Sequence, residues 1–228
     1  MNLKPKVMAK SAVKILKIEP LTHDVLRFEV EKPKGYTFVP GQATSVAINQ
    51  KGREDDARPF TFTSLPDEDH LEFVIKIYAD REGMTSALRN VEVGDELLIA
   101  DPWGNIAYKG PGLFIAGGAG ITPFIAIFKQ LQKEDALQGS QLLFGNKTRD
   151  DIILEDWLNI LLGDACVHVL SKEDVPGYVH GRIDEEMIGI HYNGGNIYVC
   201  GPPPMMEEIG GELDFIGFPP DLVVKEEF

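Results

Sequence analysis

Four short stretches of this sequence combine residue types that can hold a phosphate or an aromatic ring. The first is Gly112–Pro123, GLFIAGGAGITP. Its apolar run Leu113–Ala116 has the character of a buried strand, and Gly117, Gly118 and Gly120 follow at once. Thr122 and Pro123 then read as a helix start, with Thr122 as N-cap and Pro123 at the first helical position. Strand, glycine turn and helix N-terminus together make an anion site. Backbone without Cβ atoms lets a phosphate come close, and unpaired N–H groups and the helix dipole point at it. The second stretch is Arg58-Pro59-Phe60-Thr61-Phe62-Thr63-Ser64. Arg58 suits a phosphate, Phe60 an aromatic ring and Thr61 a hydrogen bond; taken alone, the stretch reads as an ordinary strand with a surface arginine. Alternation sets Arg58, Phe60 and Phe62 on one face and Pro59, Thr61 and Thr63 on the other, unless the strand bends. The third stretch, Gly83-Met84-Thr85-Ser86, opens a short helix. Its N–H groups and two hydroxyls make a second phosphate seat, or Thr85 simply caps a surface helix. The fourth is Cys200-Gly201-Pro202-Pro203-Pro204-Met205, after an apolar run.

The elements that would carry these stretches differ between the two halves of the chain. Val7–Ile18, His23–Glu31, Gln42–Asn49, Arg58–Ser64, Leu71–Ala79 and Gly94–Ala100 are rich in β-branched and aromatic residues, with Gly/Pro/Asp punctuation between them. Leu71, Phe73, Ile75 and Ile77 alternate with Glu72, Val74, Lys76 and Tyr78, which predicts one buried and one outward face. Six such strands suggest a closed antiparallel barrel, interrupted by a helical segment near Met84–Asn90. After Gly112 the rhythm becomes strand then helix. Leu113–Ala116 precedes helical Phe124–Lys133, Gln141–Phe144 precedes Asp151–Leu162, and Ala165–Leu170 precedes Ile183–Ile188. Asn196–Cys200 precedes Met205–Leu213, and Leu222–Val224 is a last strand. That pattern is a parallel sheet wrapped by helices. The expected architecture is therefore a two-domain β plus α/β protein: residues 1–105 a six-stranded antiparallel barrel, residues 106–228 a Rossmann-like domain. The stretch 101–111 joins them, with Trp103 and Tyr108 packed rather than floating. Ligands of an open parallel sheet bind beyond the carboxyl ends of its strands. Gly117–Pro123, Gly145–Arg149 with Asn146 and Lys147, Ser171-Lys172 and Cys200–Met205 all fall there. The usual GxGxxG fingerprint is absent: Pro123 stands in the place of a third glycine, and no acidic residue ends the second strand.

Composition sets the limits. The chain has 228 residues, 43% of them hydrophobic, and a net charge of -14. That charge argues against nucleic acid and against an anionic membrane surface. Two cysteines, Cys166 and Cys200, are too few for a disulfide framework and lack metal-ligand spacing; a reducing, cytoplasmic setting fits. The five histidines are scattered, so no metal is expected. The N-terminal MNLKPKVMAK has no apolar core of a signal peptide. The apolar stretch Leu113–Phe128 is broken by glycines and is shorter than the roughly 20 residues that span a bilayer.

Taken in order, the four stretches resemble the ferredoxin–NADP reductase family of flavoproteins, along nearly the whole chain. The family's Arg-x-Tyr/Phe-Ser/Thr flavin motif is similar to Arg58-Pro59-Phe60-Thr61, and its Gly-x-x-Ser/Thr turn to Gly83–Ser86. Its Gly-Gly-x-Gly-Ile-Thr-Pro loop is matched by Gly117–Pro123, and its Cys-Gly-Pro-x-x-Met by Cys200–Met205. The chain closes with Glu226-Glu227-Phe228, similar to a Glu-x-Phe ending. The resemblance implies that the barrel holds a flavin. Arg58 and Pro59 would lie at its diphosphate, Phe60 against its ring, Thr61 near N5, and Gly83, Met84, Thr85 and Ser86 at the pyrophosphate. Those residues and the neighbouring strand Ile75, Lys76, Tyr78 favour FAD over FMN. The second half would bring NADH or NADPH through Gly118, Gly120, Thr122, Asn146, Lys147, Gly201 and Met205. Thr61, Cys200 and Phe228 would form the redox centre, Cys200 as a small positioning group and Phe228 as a shield over the flavin, with Glu226 near it. Lys147 and Arg149 could clamp a 2′-phosphate, but Asp150 and Asp151 oppose it, which tips the balance to NADH. With two cysteines the sequence holds no iron–sulfur relay, so the acceptor is separate: ferredoxin, flavodoxin, an oxygenase component or free flavin. Lys4, Lys6, Lys10, Lys14 and Lys17 are either a solvated strand face or a docking patch. The expected particle is a monomer. A flavin-binding subunit that transfers electrons only within a complex is the rival reading.

Overall fold

Six strands of the first half wrap around a shared apolar interior. The computed structural model describes residues 10–80 and 82–226; Phe228, Lys4 and Lys6 lie outside them. The strands are β1 (Ser11–Pro20), β2 (Val25–Glu31), β3 (Ala43–Ile48), β4 (Arg58–Thr61), β5 (His70–Lys76) and β6 (Glu96–Ile99). They pair antiparallel in the order β4-β3-β6-β1-β2-β5. A single antiparallel bridge, Phe62 to Phe73, joins β4 to β5 and turns the sheet into a near-barrel. Its interior is filled by Phe28, Val30, Phe62, Leu71, Phe73, Ile75 and Leu97. Phe38 stacks on Phe62 with ring centroids 4.2 Å apart. The short helix α1 (Met84–Ala87) follows, with a 3₁₀ turn over Leu88–Asn90.

The second sheet is parallel throughout. Its strands are β7 (Gly112–Gly117), β8 (Gln141–Asn146), β9 (Cys166–Leu170), β10 (Val179–His180), β11 (Asn196–Cys200) and β12 (Val223–Lys225), ordered β10-β9-β8-β7-β11-β12. Helices α2 (Thr122–Lys133) and α3 (Glu155–Leu162) cover the face that carries Phe114, Phe144 and Tyr198. Helices α4 (Glu185–His191) and α5 (Pro203–Phe215) cover the opposite face, with Leu113, Ile115, Leu143 and Val199. Strand order reverses direction at β7, so the crevice for a ligand opens at the carboxyl ends of β7 and β11.

The structure departs from the sequence expectations at several points. Thr122 is not the N-cap of α2. Gly118–Ile121 winds into a 3₁₀ turn that runs straight into the helix, Ile121 takes the N-cap position, and the Thr122 hydroxyl donates back to the Ala119 carbonyl at 3.0 Å. The helix expected over Asp151–Leu162 is split into a 3₁₀ turn at Arg149–Asp151 and α3, with Leu154 at a left-handed φ of 57° between them. Strand β10 has two residues and no periodic signal. The outward face of β5 is not solvated: Glu72 and Val74 are buried. Val74, with Val25 of β2, belongs to the apolar cluster of the α/β half, because α2 packs on the outside of the barrel. As expected, the connecting stretch is packed. Trp103 exchanges backbone hydrogen bonds with Ala43, 2.8 Å each way, and Tyr108 stacks on Tyr198.

Candidate functional site

The gap in the barrel wall lies where β4 and β5 part. Phe62 bridges Phe73 and the next residues, Thr63 and Ser64, bond Glu72, while on the other side of the bridge Arg58–Thr61 and Ile75–Tyr78 form two lips. One lip is Arg58–Thr61. Arg58 is exposed, with its guanidinium 2.9 Å from the Asp56 carboxylate, and Pro59 is exposed beside it. Phe60 is half-buried against the barrel core, and Thr61 sits opposite Ala43 of β3. The other lip is Ile75–Tyr78. Ile75 is closed inside the barrel, so only its backbone is available to a ligand, whereas Tyr78 is exposed. Lys76 reaches across to the α/β half: its ammonium is 2.8 Å from Asp24 and 3.8 Å from Asp151. The phosphate seat Gly83–Ser86 has mixed character. Met84 is a core residue, the Ser86 hydroxyl donates to the Gly83 carbonyl at 3.1 Å, and Thr85 is half-buried. Gly83 has a φ of 150° and open space where a Cβ would stand. No acidic residue occupies the first turn of α1, which leaves its N–H groups to an anion.

Close backbone approach builds the second pocket. A Cβ on Gly120 would lie 2.7 Å from the Gly201 Cα and overlap the Cys200 carbonyl, and one on Gly201 would lie 2.8 Å from the Met205 sulfur. Gly118 has a φ of +52°, a left-handed conformation that suits glycine. These contacts bring Gly118, Gly120, Cys200, Gly201 and Met205 to one edge, with Thr122 buried behind them. Asn146 ends β8 on the other side of β7. It is only 7% exposed, and neither atom of its amide has a partner in the protein. Such orphaned groups cost about 1–3 kcal/mol each unless a ligand or water satisfies them. A dinucleotide, rich in hydroxyls and phosphate oxygens, fits that need. Lys147 beside it is exposed. Burial, and then the charge of Glu226, push the Cys200 thiol up to about 12. A raised pKa keeps the thiol protonated near neutral pH.

The two groups of residues approach each other at the junction of the two halves. Thr61 faces Ala43 across the β3–β4 ladder, Ala43 is bonded to Trp103, and Gly104 follows. A Cβ on Gly104, at a φ of +127°, would stand 2.8 Å from a Glu226 carboxylate oxygen. That oxygen accepts from the backbone N–H groups of Asn105 at 2.8 Å and Ile106 at 3.1 Å, and its charge reaches Cys200. The 3₁₀ turn at Gly118–Ile121 also comes within 8 Å, Cα to Cα, of β5. Two cavities lie off this junction: one of about 440 Å³ beside Asn159, Cys166 and His168, the other of about 290 Å³ between α5 and β12. Sequence reasoning missed Glu72 and the cap at Asp151. The cap was readable as Thr-x-x-Asp, since Asp151 accepts from both the N–H and the hydroxyl of Thr148.

A near-barrel joined to a parallel-sheet nucleotide fold, with the glycine turn close to β5, is the architecture of a two-domain flavin reductase. The oxidoreductase FAD-binding domain pattern matches residues 12–108, and the oxidoreductase NAD-binding domain pattern matches residues 114–210. NADH–cytochrome b5 reductase 1 of Arabidopsis thaliana is 32% identical over 231 residues, covering 92% of this chain and 81% of that protein. The reductase component of propane 2-monooxygenase from Mycolicibacterium goodii is 30% identical over 237 residues, covering 94% of this chain and 66% of that protein. The chain thus spans about two thirds of the propane 2-monooxygenase relative. The crystal structure of a ferredoxin NADP+ reductase from Neisseria gonorrhoeae with bound FAD and NADP superposes with a TM-score of 0.82, at 20% identity, over 95% of this chain and 98% of that one. The chain belongs to the ferredoxin–NADP reductase-like family of flavin-dependent oxidoreductases, and its cofactors are FAD and NAD(P)H. Among the described residues, no helix is long and apolar enough to cross a membrane.

Proposed function

We propose that this chain takes hydride from NADH onto FAD in the crevice between Thr61 and Cys200 and passes the electrons to a separate acceptor. The observation that carries this reading is the junction of the two halves, where the Glu226 carboxylate accepts from the Asn105 and Ile106 amides just past Trp103, which is hydrogen-bonded to Ala43, the strand partner of Thr61. FAD, when bound, supplies acceptance of two electrons as hydride and release of them singly. The protein's own work is to bind, orient and exclude. Arg58 would hold the flavin diphosphate with its planar fork. Phe60 would cover its ring, Thr61 would offer a hydrogen bond near N5, and Gly83–Ser86 would hold the pyrophosphate. Gly118, Gly120 and Thr122 cradle the dinucleotide, Asn146 satisfies its buried amide on it, and Lys147 adds a cation. Cys200 and Met205 would bound the nicotinamide. The units are residues 1–105 and 106–228.

NADH is favoured over NADPH on charge. Arg149 is engaged with Glu155 at 3.4 Å and lies over Tyr178 at 5.6 Å. Its own N–H donates to the Glu173 carboxylate at 2.8 Å. A 2′-phosphate would meet Glu155, Glu173 and Asp150 with Lys147 as its principal cation. The acceptor fits an oxygenase component or a small electron carrier, as the names of the relatives suggest for those proteins. Two cysteines cannot ligate an iron–sulfur cluster within this sequence. The reading has a monomer at work in the cytoplasm, with Cys166 and Cys200 free.

Anaerobic mixing of the FAD-loaded protein with NADH and with NADPH tests the proposal. Rapid bleaching of flavin absorbance, faster with NADH, is the expected result; no bleaching with either nucleotide makes the chain a flavin-binding subunit instead. A second measurement addresses the barrel. Loss of one charge-assisted phosphate contact is worth about 1.5–3 kcal/mol, so Arg58→Ala should weaken FAD affinity by roughly 10- to 100-fold in a titration of apoprotein.

A further inference from the structure

The geometry points to Glu72 as a positioning residue for hydride transfer, tying the flavin lip of the barrel to the helix that carries the nicotinamide loop. The inference rests on the proposed crevice chemistry. Glu72 is 6% exposed and lies on the outer face of β5, in line with Val74 and Lys76. All three meet the α/β half: Val74 in its apolar cluster, Lys76 at Asp151, and Glu72 at α2. One carboxylate oxygen of Glu72 accepts from the Thr63 hydroxyl at 2.7 Å and from the Lys129 ammonium at 2.9 Å. The other oxygen is 3.5 Å from the Arg27 guanidinium nitrogen. The Glu72 backbone is bound to the same segment: Thr63 N–H donates to its carbonyl at 2.9 Å, and its own N–H donates to the Ser64 hydroxyl at 3.0 Å.

Thr63 stands two residues past Thr61. Lys129 stands seven residues past Thr122, about 10 Å along α2. One buried side chain therefore joins both reacting edges through short, stiff connections. Thr63 and Ser64 are fully buried, so the strand end cannot shift alone. The neighbouring ion pair on the same helix has a different character. Lys133–Asp67, one turn further along α2, is exposed at both ends, and exposed pairs contribute little.

The test uses the FAD-loaded full chain with Lys129→Met, Glu72→Gln, Lys129→Arg and Lys133→Met. A displacement of about 1 Å between reacting groups can cost 100-fold. Lys129→Met and Glu72→Gln should therefore slow flavin reduction at saturating NADH by roughly 10- to 100-fold, leaving NADH and FAD affinities and reduction by dithionite unchanged. Lys129→Arg should restore most of the rate, and Lys133→Met should match the parent. Amide hydrogen exchange should rise together in segments 61–64 and 122–126 of Lys129→Met. Parental rates and parental exchange in folded Lys129→Met and Glu72→Gln would overturn the inference. If the parent itself is not bleached by NADH, the functional reading fails, and joint exchange in the two segments still decides whether Glu72 couples them.

Discussion

Gly120→Ala should abolish NADH-dependent flavin reduction, by about 100-fold or more, while the protein still binds FAD. The reason is steric and local. An added methyl would stand 2.7 Å from the Gly201 Cα and overlap the Cys200 carbonyl. Both are backbone atoms at the end of β11, and neither can rotate aside. The 3₁₀ turn that holds Gly118 and leads into Thr122 must back away by about 1 Å to reach ordinary contact, and misplacement on that scale costs about 100-fold at a reacting centre. The barrel does not contain this contact, so flavin content and reduction by dithionite should match the parent. Gly189→Ala is the control: it sits within α4 with nothing within 4 Å of the added carbon, and its rate should not change. Stopped-flow absorbance with saturating NADH, read beside flavin-to-protein ratios, checks both variants.

The same glycine turn shows why some of the site was legible in the sequence. Glycines that follow an apolar run mark a backbone that must come close to something, and Gly117, Gly120 and Gly201 do so against Met205 and Cys200. Strand identities were legible for the same local reason, since Leu113–Ala116 and Leu142–Phe144 have little to do except be buried. The capping of α2 was not. Whether Thr122 or Ile121 ends the turn depends on Gly118–Ile121 winding into a 3₁₀ segment, a choice made by the Cys200 loop lying against it. Glu72 is the clearest case. A period of two tells which residues share a strand face, and it placed Glu72 outward with Val74 and Lys76. It carries no information on whether a second domain covers that face. Asn146 was legible by position alone; that its amide would be buried without a partner follows only from the packing of β8 between β7 and β9.

Glu72→Ala should destabilise the protein by about 3 kcal/mol, toward the lower end for breaking a buried ion pair, against a total stability of about 5–15 kcal/mol for an ordinary domain. Removing the carboxylate strands the Lys129 ammonium and takes one of two carboxylates from Arg27, which keeps Glu19 at 3.1 Å. The Lys129 and Arg27 side chains are 25% and 22% exposed, so water reaches them in part, which places the cost at the lower end. The Thr63 hydroxyl, fully buried, loses its acceptor as well. Acid should act on the same group in a definite direction. Burial pushes the Glu72 carboxyl up, but Lys129, the Thr63 hydroxyl and Arg27 together outweigh it, and the group ends below its ordinary value of 4.5. A lowered native pKa means that the unfolded chain binds the proton first. The contribution of Glu72 is therefore complete above pH 4.5 and is lost as the pH falls through its native pKa. Urea unfolding at about pH 7 and at about pH 4 should show the gap between parent and Glu72→Gln narrowing in acid. A double replacement, Glu72→Met with Lys129→Met, should recover much of the stability, because a buried pair exchanged for well-packed apolar side chains is close to neutral. It should not recover the rate of flavin reduction, since apolar packing holds the two halves together without fixing Thr63 and α2 to a single point.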